Sequence, residues 1–585
     1  MNILETYLKK IQNLIIENYK TLNIASDINT KGIIIETPPL EFNFDLSTNV
    51  ALVLAKKTNQ SPVKLAESIK QIIEKNLEDF STIEIAGPGF INLRFTPELY
   101  QELILKILKS NNEYGSNKKN ETYNIEFVSA NPTGPMHVGH SRGAIFGDVL
   151  ANLLMFNGNS VVKEYYINDY GNQIINFTES VFYRLREIKF KEKFIKKENL
   201  YPGEYVIDIA KKILLEFPEI DLTDFKKNFT TLRREALKHS MHLIKNDLKS
   251  LGVLHDNFVS ETTLVEKNLV EKSVQYLIDK KYVEEGYLNP PKGEESKDWR
   301  KTKRLIFKST LFGDDSDRAL KKNDGTWTYF ANDIAYHSDK TARKYNYLIN
   351  ILGADHTGYI KRITAATKAL SDNDTILTCK VCQLVKLFKN GQPYKMSKRS
   401  GDFISVRELL NEVDKNSIRF MMLNRSNDVE LDFDFDKVKE KTKDNPIFYV
   451  QYAFARINSL FRILNTNLND KIKLNTQNFN LNLVEEKIIR KIYEWPKVVE
   501  SASNKFEIHK IPFYLYELST LFHSYWSKGN TDKNYRFIEN NKIKRIEVLV
   551  IINFVFLYGF FTLLLFTIIF LYIGIVILFL SILIL

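Results

Sequence analysis

The stretch 124-NIEFVSANPTGPMHVGHSRGAIFGDVLANLLMFNG-158 decides the fold. It opens on a short run of strand formers, NIEFVS. Prolines and glycines follow, and then HSRGAIFGDVLANLL places apolar residues at helical spacing until Asn157-Gly158 closes the run. A second strand reads from VVKEYYIND (161–169). Strand, turn, helix and strand in that order predict the start of a parallel α/β domain.

Within the turn stand His137 and His140, three residues apart and so about one helical turn, facing the same way. A helix N-terminus gathers unpaired N–H groups and the positive end of the dipole, which suits an anion. Gly139 lets a ligand approach the backbone. The pattern fits a nucleotide whose phosphates lie across the helix start. Two histidines alone leave a structural pair equally open, and a metal is weaker because no third ligand is near in sequence. A second basic element is 391-GQPYKMSKRSG-401, with three cations in five residues. Such a loop can clamp a triphosphate and oppose charge that develops on a leaving group, although alone it reads more often as a solvated loop.

The chain has 585 residues, enough for roughly two to four domains. Net charge is +11, which favours a polyanionic partner without choosing between nucleic acid and membrane. The only two cysteines, Cys379 and Cys382, exclude a disulfide framework and point to a reducing compartment; they supply two of the four ligands that a structural zinc needs, so no metal site is expected. Residues 1–20 have the charge spacing of an amphipathic helix and lack the apolar core of a signal peptide.

Elsewhere LAESIKQIIEKNL (65–77) predicts a helix, STIEIAGPGFINLRF (81–95) a hairpin, and SNNEYGSNKKN (110–120) a linker. The middle, about 180–320, reads as a charge-rich helical insertion, with FKEKFIKKENL (190–200) as an example. Further sheet strands are read from TWTYFANDIAYH (326–337) and YLINILGADHTG (347–358), and beyond about 430 the pattern is helical. From Val548 to Leu585 no residue is charged, about twice the length that suggests a membrane span, with Gly559 as a break.

In this order and separation, HVGH and KMSKR resemble the two signature motifs of the class I aminoacyl-tRNA synthetases. The surrounding NIEFVSANPTGPMHVGHSRGAIFGD, YYINDYGNQI, TYFANDIAYH, LGADHTGYI, KMSKRSGDFISVRELL and NPIFYVQYAFARI resemble the arginyl-tRNA synthetase family, over roughly residues 1–545. The resemblance implies a Rossmann-like parallel-sheet catalytic domain of the α/β class (111–430, with a helical insertion), an α+β N-terminal tRNA-contacting domain (1–110) and an α-helical C-terminal anticodon-binding domain (431–545). The run 546–585 departs from the family and reads as an apolar tail, either a shifted reading frame or a membrane anchor with Lys542, Lys544 and Arg545 at its cytoplasmic side. On either reading the last helix of the anticodon domain is in doubt.

The implied activity is ATP-dependent ligation of L-arginine to tRNA(Arg) through an arginyl-adenylate, with release of AMP and pyrophosphate. Its partners are tRNA(Arg), arginine and ATP. Mg²⁺ arrives with ATP, and no dedicated protein metal site is expected. By resemblance, His137, His140, Lys395 and Lys398 are the catalytic set. ATP falls to His137, Gly139, His140, Gly353, Asp355, His356, Lys395, Met396, Ser397 and Lys398. Arginine falls to Glu126, Ser129, Asn131, His140, Tyr329 and Asp333, and tRNA to Tyr449, Gln451, Tyr452 and Arg456. A cytoplasmic monomer is expected. Two other functions compete: a related nucleotidyl transferase acting on a small molecule, and a paralogue that binds tRNA without charging it.

Overall fold

The computed structural model describes residues 2–110, 113–195, 197–288, 302–394, 404–463 and 481–539, and the short pieces 542–543, 548–549, 551–553, 555–556 and 559. These form two compact units. One is built from 1–117 together with 440–562, the other from 118–439.

The second unit is organised by a five-stranded parallel sheet. Its strands are β1 (Thr122–Glu126), β2 (Ser160–Ile167), β3 (Asn257–Ser260), β4 (Tyr347–Gly353) and β5 (Ile376–Cys382), in the spatial order β5-β4-β1-β2-β3. All four pairings are parallel. The chain moves from β1 outward through β2 to β3, then returns to the other side of β1 as β4. The order therefore reverses between β1 and β4, and in open α/β sheets ligands bind at the carboxyl ends of the strands at such a switch point.

Helix α1 (Val138–Phe156) follows β1 and lies buried along most of its length. A Cβ on Gly147 would come within 2.3 Å of the Phe127 ring, so only glycine permits this approach of helix to strand end. Three helices, α2 (Asn172–Phe190), α3 (Glu204–Glu216) and α4 (Phe225–Ser250), share a core of Phe177, Val181, Leu185, Val206, Ile209, Ile213 and Leu232. Helix α5 (Tyr329–Ala342) and helix α6 (Ile360–Leu370) pack together through Phe330, Ile334, Ile363 and Ala366.

Three readings from sequence need correction. TWTYFANDIAYH is a helix rather than a strand: Phe330, Ala331, Ile334 and Ala335 recur at helical spacing, and Thr328 caps the start by accepting from Ala331 N–H. FKEKFIKKENL is not a helix, because α2 ends at Phe190 and Lys191 takes a left-handed conformation. The third concerns the middle, which is largely helical as read but also carries strands. Strand β3 joins the central sheet there, and Val283–Gly286, Arg304–Phe307 and Arg318–Ala319 form a small antiparallel sheet. Strand β3 has four residues of intermediate burial, too short for an alternating pattern to stand out. The helix at Ile3–Glu17, the hairpin of Phe80–Ala86 with Phe90–Phe95, and the strands β1, β2 and β4 stand where they were expected.

In the first unit a four-stranded antiparallel sheet meets the C-terminal helices through buried polar groups. Arg490 donates to the carbonyls of Phe42 (2.8 Å) and Phe44 (2.6 Å). The Tyr493 hydroxyl donates to Asp45 O (2.9 Å), Tyr114 to Ile492 O (3.1 Å), and the Trp495 indole to Tyr114 O (3.2 Å). Each bond ties positions some four hundred residues apart in the chain. Val548, Leu549, Ile551, Ile552, Val555 and Phe556 are fully buried, and the described pieces from 548 to 559 are helical. Gly559 stands against Leu515 of the Lys510–Thr531 helix, where a Cβ would come within 2.5 Å. These residues of the uncharged run are therefore core. The run from 560 onward lies outside the described residues. Among the described residues no helix is long and apolar enough to cross a membrane.

Beneath α1, Asp148 is 2 % exposed and bonds two buried cations, Lys163 (2.7 Å) and Arg419 (2.6 Å). Removing the carboxylate would strand both charges. Asp148→Ala is expected to destabilise the folded protein by about 3–5 kcal/mol in urea unfolding. A loss under about 1 kcal/mol would show that the network relaxes or hydrates freely.

Candidate active site

The site lies at the carboxyl ends of β1 and β4. Strand β1 ends at Glu126, and the chain then passes through Val128 (φ +71°) and Ser129 (φ +40°). A left-handed β-branched residue costs on the order of 1–3 kcal/mol and persists only when its surroundings hold it. Here the kink turns Ser129 back on the strand: its hydroxyl donates to Glu126 Oε1 (3.1 Å) and accepts from Tyr166 N–H (3.1 Å). Asn131, further along, is exposed and tied to Asn168 (3.0 Å) and Gln173 (2.7 Å).

His137 caps α1, and its Nδ1 accepts from Gly139 N–H (3.1 Å). His140 Nδ1 accepts from His137 N–H (3.3 Å), and the two rings stack with centroids 3.7 Å apart. Because both Nδ1 atoms accept, each ring proton sits on Nε2. Burial lowers the affinity of both rings for a second proton, and with His137 beside it His140 falls to about 3. Both therefore act as neutral donors at pH 7. The helix start is also less open than its sequence suggests. Val138 N–H donates to Ile404 O (2.9 Å) and His140 N–H to His137 O (2.9 Å), so with Gly139 three of the first N–H groups are engaged. What remains for an anion is the dipole and the Nε2–H of His140.

The basic loop reaches this point at its exit. Residues 395–403, with Lys395, Met396, Ser397 and Lys398, lie outside the described residues. The residues just after them pair with the histidine turn, through Val138 N–H to Ile404 O and Val406 N–H to Met136 O (3.0 Å). Arg142, 1 % exposed on α1, donates to the carbonyls of Gln383 (3.0 Å), Ser426 (2.7 Å) and Val429 (2.6 Å), pinning segments on both sides of that loop.

Opposite, α5 brings Tyr329 and Asp333, four residues apart. Tyr329 is exposed. Asp333 accepts from the Tyr359 hydroxyl. Desolvation raises its carboxyl to about 7, with the Glu126 charge adding to the rise and Lys340 opposing it. Glu261, just after β3, is also raised to about 7, by burial first and then by Asp333 and Asp169; its Oε1 accepts from Asn332 (2.9 Å). The hydroxyl of Tyr166 lies among Glu261, Asp333, Glu126 and Asp169, which together with burial push its pKa far up. Four carboxylates thus face one tyrosine, a wall suited to a ligand with two positive groups. Glu261 and Asp169 were not picked out from sequence. The signal for Glu261 would have been recognition of β3; for Asp169 it lay in YYINDYGNQI, whose aspartate follows two residues after the second strand.

Gly353 ends β4, and Asp355 and His356 follow in a short 3-10 turn, both exposed and 3.4 Å apart. A Cβ on Gly353 would meet the Asp355 carboxylate at 2.6 Å. In the other unit, Tyr449, Gln451, Tyr452 and Arg456 lie on the Pro446–Ile463 helix. Arg456 donates to the Tyr452 hydroxyl (2.7 Å), bonds His523 Nδ1 (3.1 Å), and lies over the Tyr452 ring (4.0 Å). Tyr452 is 41 % exposed, so Arg456 and Tyr452 form a surface platform, while the Tyr449 ring packs tilted against His523 with centroids 4.3 Å apart.

Among the described residues one trio, Glu216, Glu235 and His239, could hold a metal ion. Its carboxylates are already bonded to Lys238 and Arg234. Cys379 and Cys382 are free thiols, and burial pushes both up to about 12.

With this geometry in view, comparison with known proteins is decisive. Residues 6–95 match the arginyl tRNA synthetase N-terminal domain, 103–201 the class I (R) tRNA synthetase catalytic domain, and 450–564 the DALR anticodon-binding domain. The chain is 51 % identical over 545 residues to the arginine–tRNA ligase of Pelagibacter ubique, covering 93 % of this chain and 94 % of that protein. The chain belongs to the arginyl-tRNA synthetase family. It is 45 % identical over 536 residues to the arginine–tRNA ligase of a Wolbachia of Brugia malayi, covering 91 % and 93 % of the two chains. In fold it is similar to the Thermus thermophilus arginyl-tRNA synthetase (TM-score 0.67, 17 % identity, 95 % and 98 % covered) and to that of Plasmodium falciparum (TM-score 0.70, 17 % identity, 97 % and 98 % covered). It is an enzyme of the class I aminoacyl-tRNA synthetases, with a parallel-sheet catalytic unit and a helical anticodon-binding domain. The anticodon-binding match runs to residue 564, well into the uncharged run.

The raised Asp333 has a consequence for stability. Its folded pKa lies above its unfolded value of 3.8, so between about pH 4 and 7 the folded state holds a proton that the unfolded state has lost. Stability therefore falls as pH rises through that window. Asp333→Asn should be more stable than the parent at pH 8, by on the order of 2 kcal/mol without arginine, and the difference should vanish near pH 4. Unfolding of both proteins across pH 4–8 checks this, and a constant difference would mean that Asp333 is ordinarily ionised.

Proposed function

We propose that this chain ligates L-arginine to tRNA(Arg) in the two steps of its family, with the residue roles that follow. The arginine carboxylate attacks the α-phosphate of ATP, forming a phosphoanhydride and releasing pyrophosphate. The terminal ribose hydroxyl of the tRNA then attacks the arginyl carbonyl, and AMP leaves. Neither step needs an enzyme nucleophile, so catalysis lies in positioning and charge stabilisation.

The observation that carries the reading is the acidic wall around Tyr166 at the carboxyl ends of the parallel strands. Arginine brings a guanidinium that stays charged and an α-ammonium. Asp333 and Glu261 face the guanidinium, whose fork can bond both carboxylates. Its arrival replaces the shared protons and leaves both acids ionised and paired. Tyr359 fixes the Asp333 carboxylate, and Tyr329 covers the opening. Glu126, Ser129 and Asn131 take the amino-acid end. His140, between the two substrates, donates from Nε2 to arginine's carboxylate or to the α-phosphate, and His137 to the phosphates. Gly139 admits ATP to the helix start, and Gly353, Asp355 and His356 take the adenosine side. Lys395 and Lys398, with Met396 and Ser397 between them, bring positive charge to the departing pyrophosphate. Mg²⁺ enters on ATP and adds its charge to the phosphates. Arg456 and Tyr452 offer a stacking platform for an anticodon base, with Tyr449 and Gln451 beside it. Cytoplasmic placement suits the two free thiols.

Selectivity follows from the same wall. Lysine presents a compact ammonium that cannot bridge two carboxylates, and citrulline has arginine's shape without its charge. Charging of total tRNA should proceed with arginine and fall by at least about 10³-fold in kcat/KM with lysine or citrulline. Comparable charging with either would sink the pocket assignment.

The separate site roles have separate signatures. Asp333→Ala is expected to raise the KM for arginine by about 100-fold or more while changing the KM for ATP little. His140→Ala should lower the rate of tRNA-dependent ATP–pyrophosphate exchange by about 10²–10³-fold with tRNA binding intact. Wild-type exchange by His140→Ala would remove the histidine from the chemistry.

A further inference from the structure

We propose that Lys340 is a positioning residue for arginine: its buried ammonium holds the Glu126 carboxylate in the orientation that meets the substrate's amino group. This rests on the reading of Glu126 as an arginine-side carboxylate.

Three strands place polar side chains in one row. Glu126 on β1 is in register with Glu164 on β2 and with Asn350 on β4. Two carboxylates on adjacent strands repel unless each is compensated. Helix α5 and the residue that caps its C-terminus supply the two compensating cations. Arg343 makes the ion pair with Glu164, and Lys340 Nζ lies 2.5 Å from Glu126 Oε2.

The two pairs differ in what they leave over. Glu164 is fully buried and also accepts from Asn124 (3.1 Å), Asn257 (2.7 Å) and Tyr336 (2.8 Å), so its oxygens are committed to the fold. Burial works against its charge, yet Arg343 and Lys340 hold its carboxyl down to about 2. Glu126 keeps 13 % of its side chain exposed at the pocket, with Lys340 on one oxygen and Ser129 on the other. It is the member of the row still able to take a ligand.

Lys340 is the reverse case. Its side chain is fully buried, and a buried ammonium is costly unless it is paired and hydrogen-bonded. Besides Glu126 it donates to Asn350 Oδ1 (3.1 Å) and lies 4.3 Å from the centre of the Tyr336 ring. These contacts fix the ammonium, and the ammonium fixes Glu126. Lys340 stands seven residues after Asp333, two helical turns along the same face of α5. One helix therefore carries the carboxylate for the guanidinium end and the cation that sets the carboxylate for the amino end. Without Lys340, Glu126 would face Asp333 with no opposing charge and no second anchor.

The test is steady-state kinetics on the full chain, with arginine and ATP varied separately. Lys340→Met should raise the KM for arginine by about tenfold or more and leave the KM for ATP within about twofold. Lys340→Arg, which keeps a cation, should keep the arginine KM within about threefold of the parent. An unchanged arginine KM in Lys340→Met, or equal rises for both substrates, would overturn the proposal. Should Lys340→Met fail to fold, the same change is read in a Glu126→Gln background, where removal of both ends of the pair leaves no stranded charge. There it should add nothing to the arginine KM beyond Glu126→Gln alone. A further rise of similar size would mean that Lys340 acts elsewhere. A wild-type arginine KM in Glu126→Gln itself would overturn the underlying role of Glu126, an outcome distinct from either of these.

Discussion

The catalytic unit depends on compensating negative charge at the carboxyl ends of a parallel sheet. Glu126 and Glu164 lie side by side on the two strands that begin the unit, and Asp169, Glu261 and Asp333 stand close by. So much negative charge in a packed interior is tolerable only if cations reach it or protons stay on it. Both solutions are used. Arg343 and Lys340 pair with the two strand residues, while Asp333 and Glu261 hold protons to about pH 7. The pairs keep the sheet and α5 together. Under the proposed function, the protonated acids are the ones that an arriving guanidinium would ionise and pair.

The nucleotide side follows a different logic. The helix start gives up most of its free N–H groups to its own histidines and to Ile404. In return both imidazoles are held as neutral Nε2 donors, stacked and oriented before any ligand arrives. Neutral donors can follow a phosphate through a reaction in which charge moves, without the cost of desolvating an imidazolium. Ile404 and Val406, which follow the basic loop in sequence, are bonded directly to the histidine turn.

Much of this was legible in the chain. HVGH, with the strand before it and the glycines around it, marked the strand-to-helix turn at the head of a parallel sheet. Tyr329 and Asp333, four apart, were assigned together to the arginine side chain by family resemblance, and their segment, read as a strand, is a helix because of its apolar spacing and the cap at Thr328. Glu261, Lys340 and Arg142 were not found. Each is a common residue type in an unremarkable local pattern, and each acquires its role from a partner far along the chain: Asn332, Glu126, and the carbonyls of Gln383, Ser426 and Val429.

The uncharged C-terminal run shows the same division. Its composition alone allowed a frame shift or a membrane anchor, since a long apolar helix looks alike in a core and in a bilayer. Val548, Leu549, Ile551, Ile552, Val555 and Phe556 are buried and Gly559 stands against Leu515, so these residues belong to the domain core. The sequence by itself determined what is local and periodic: the βα turn, the parallel α/β class, the paired histidines and the basic loop. Tertiary structure alone decided which charges meet. The burial that raises Asp333 and the ammonium that holds Glu126 are properties of distances across the sheet, and linear spacing does not encode them.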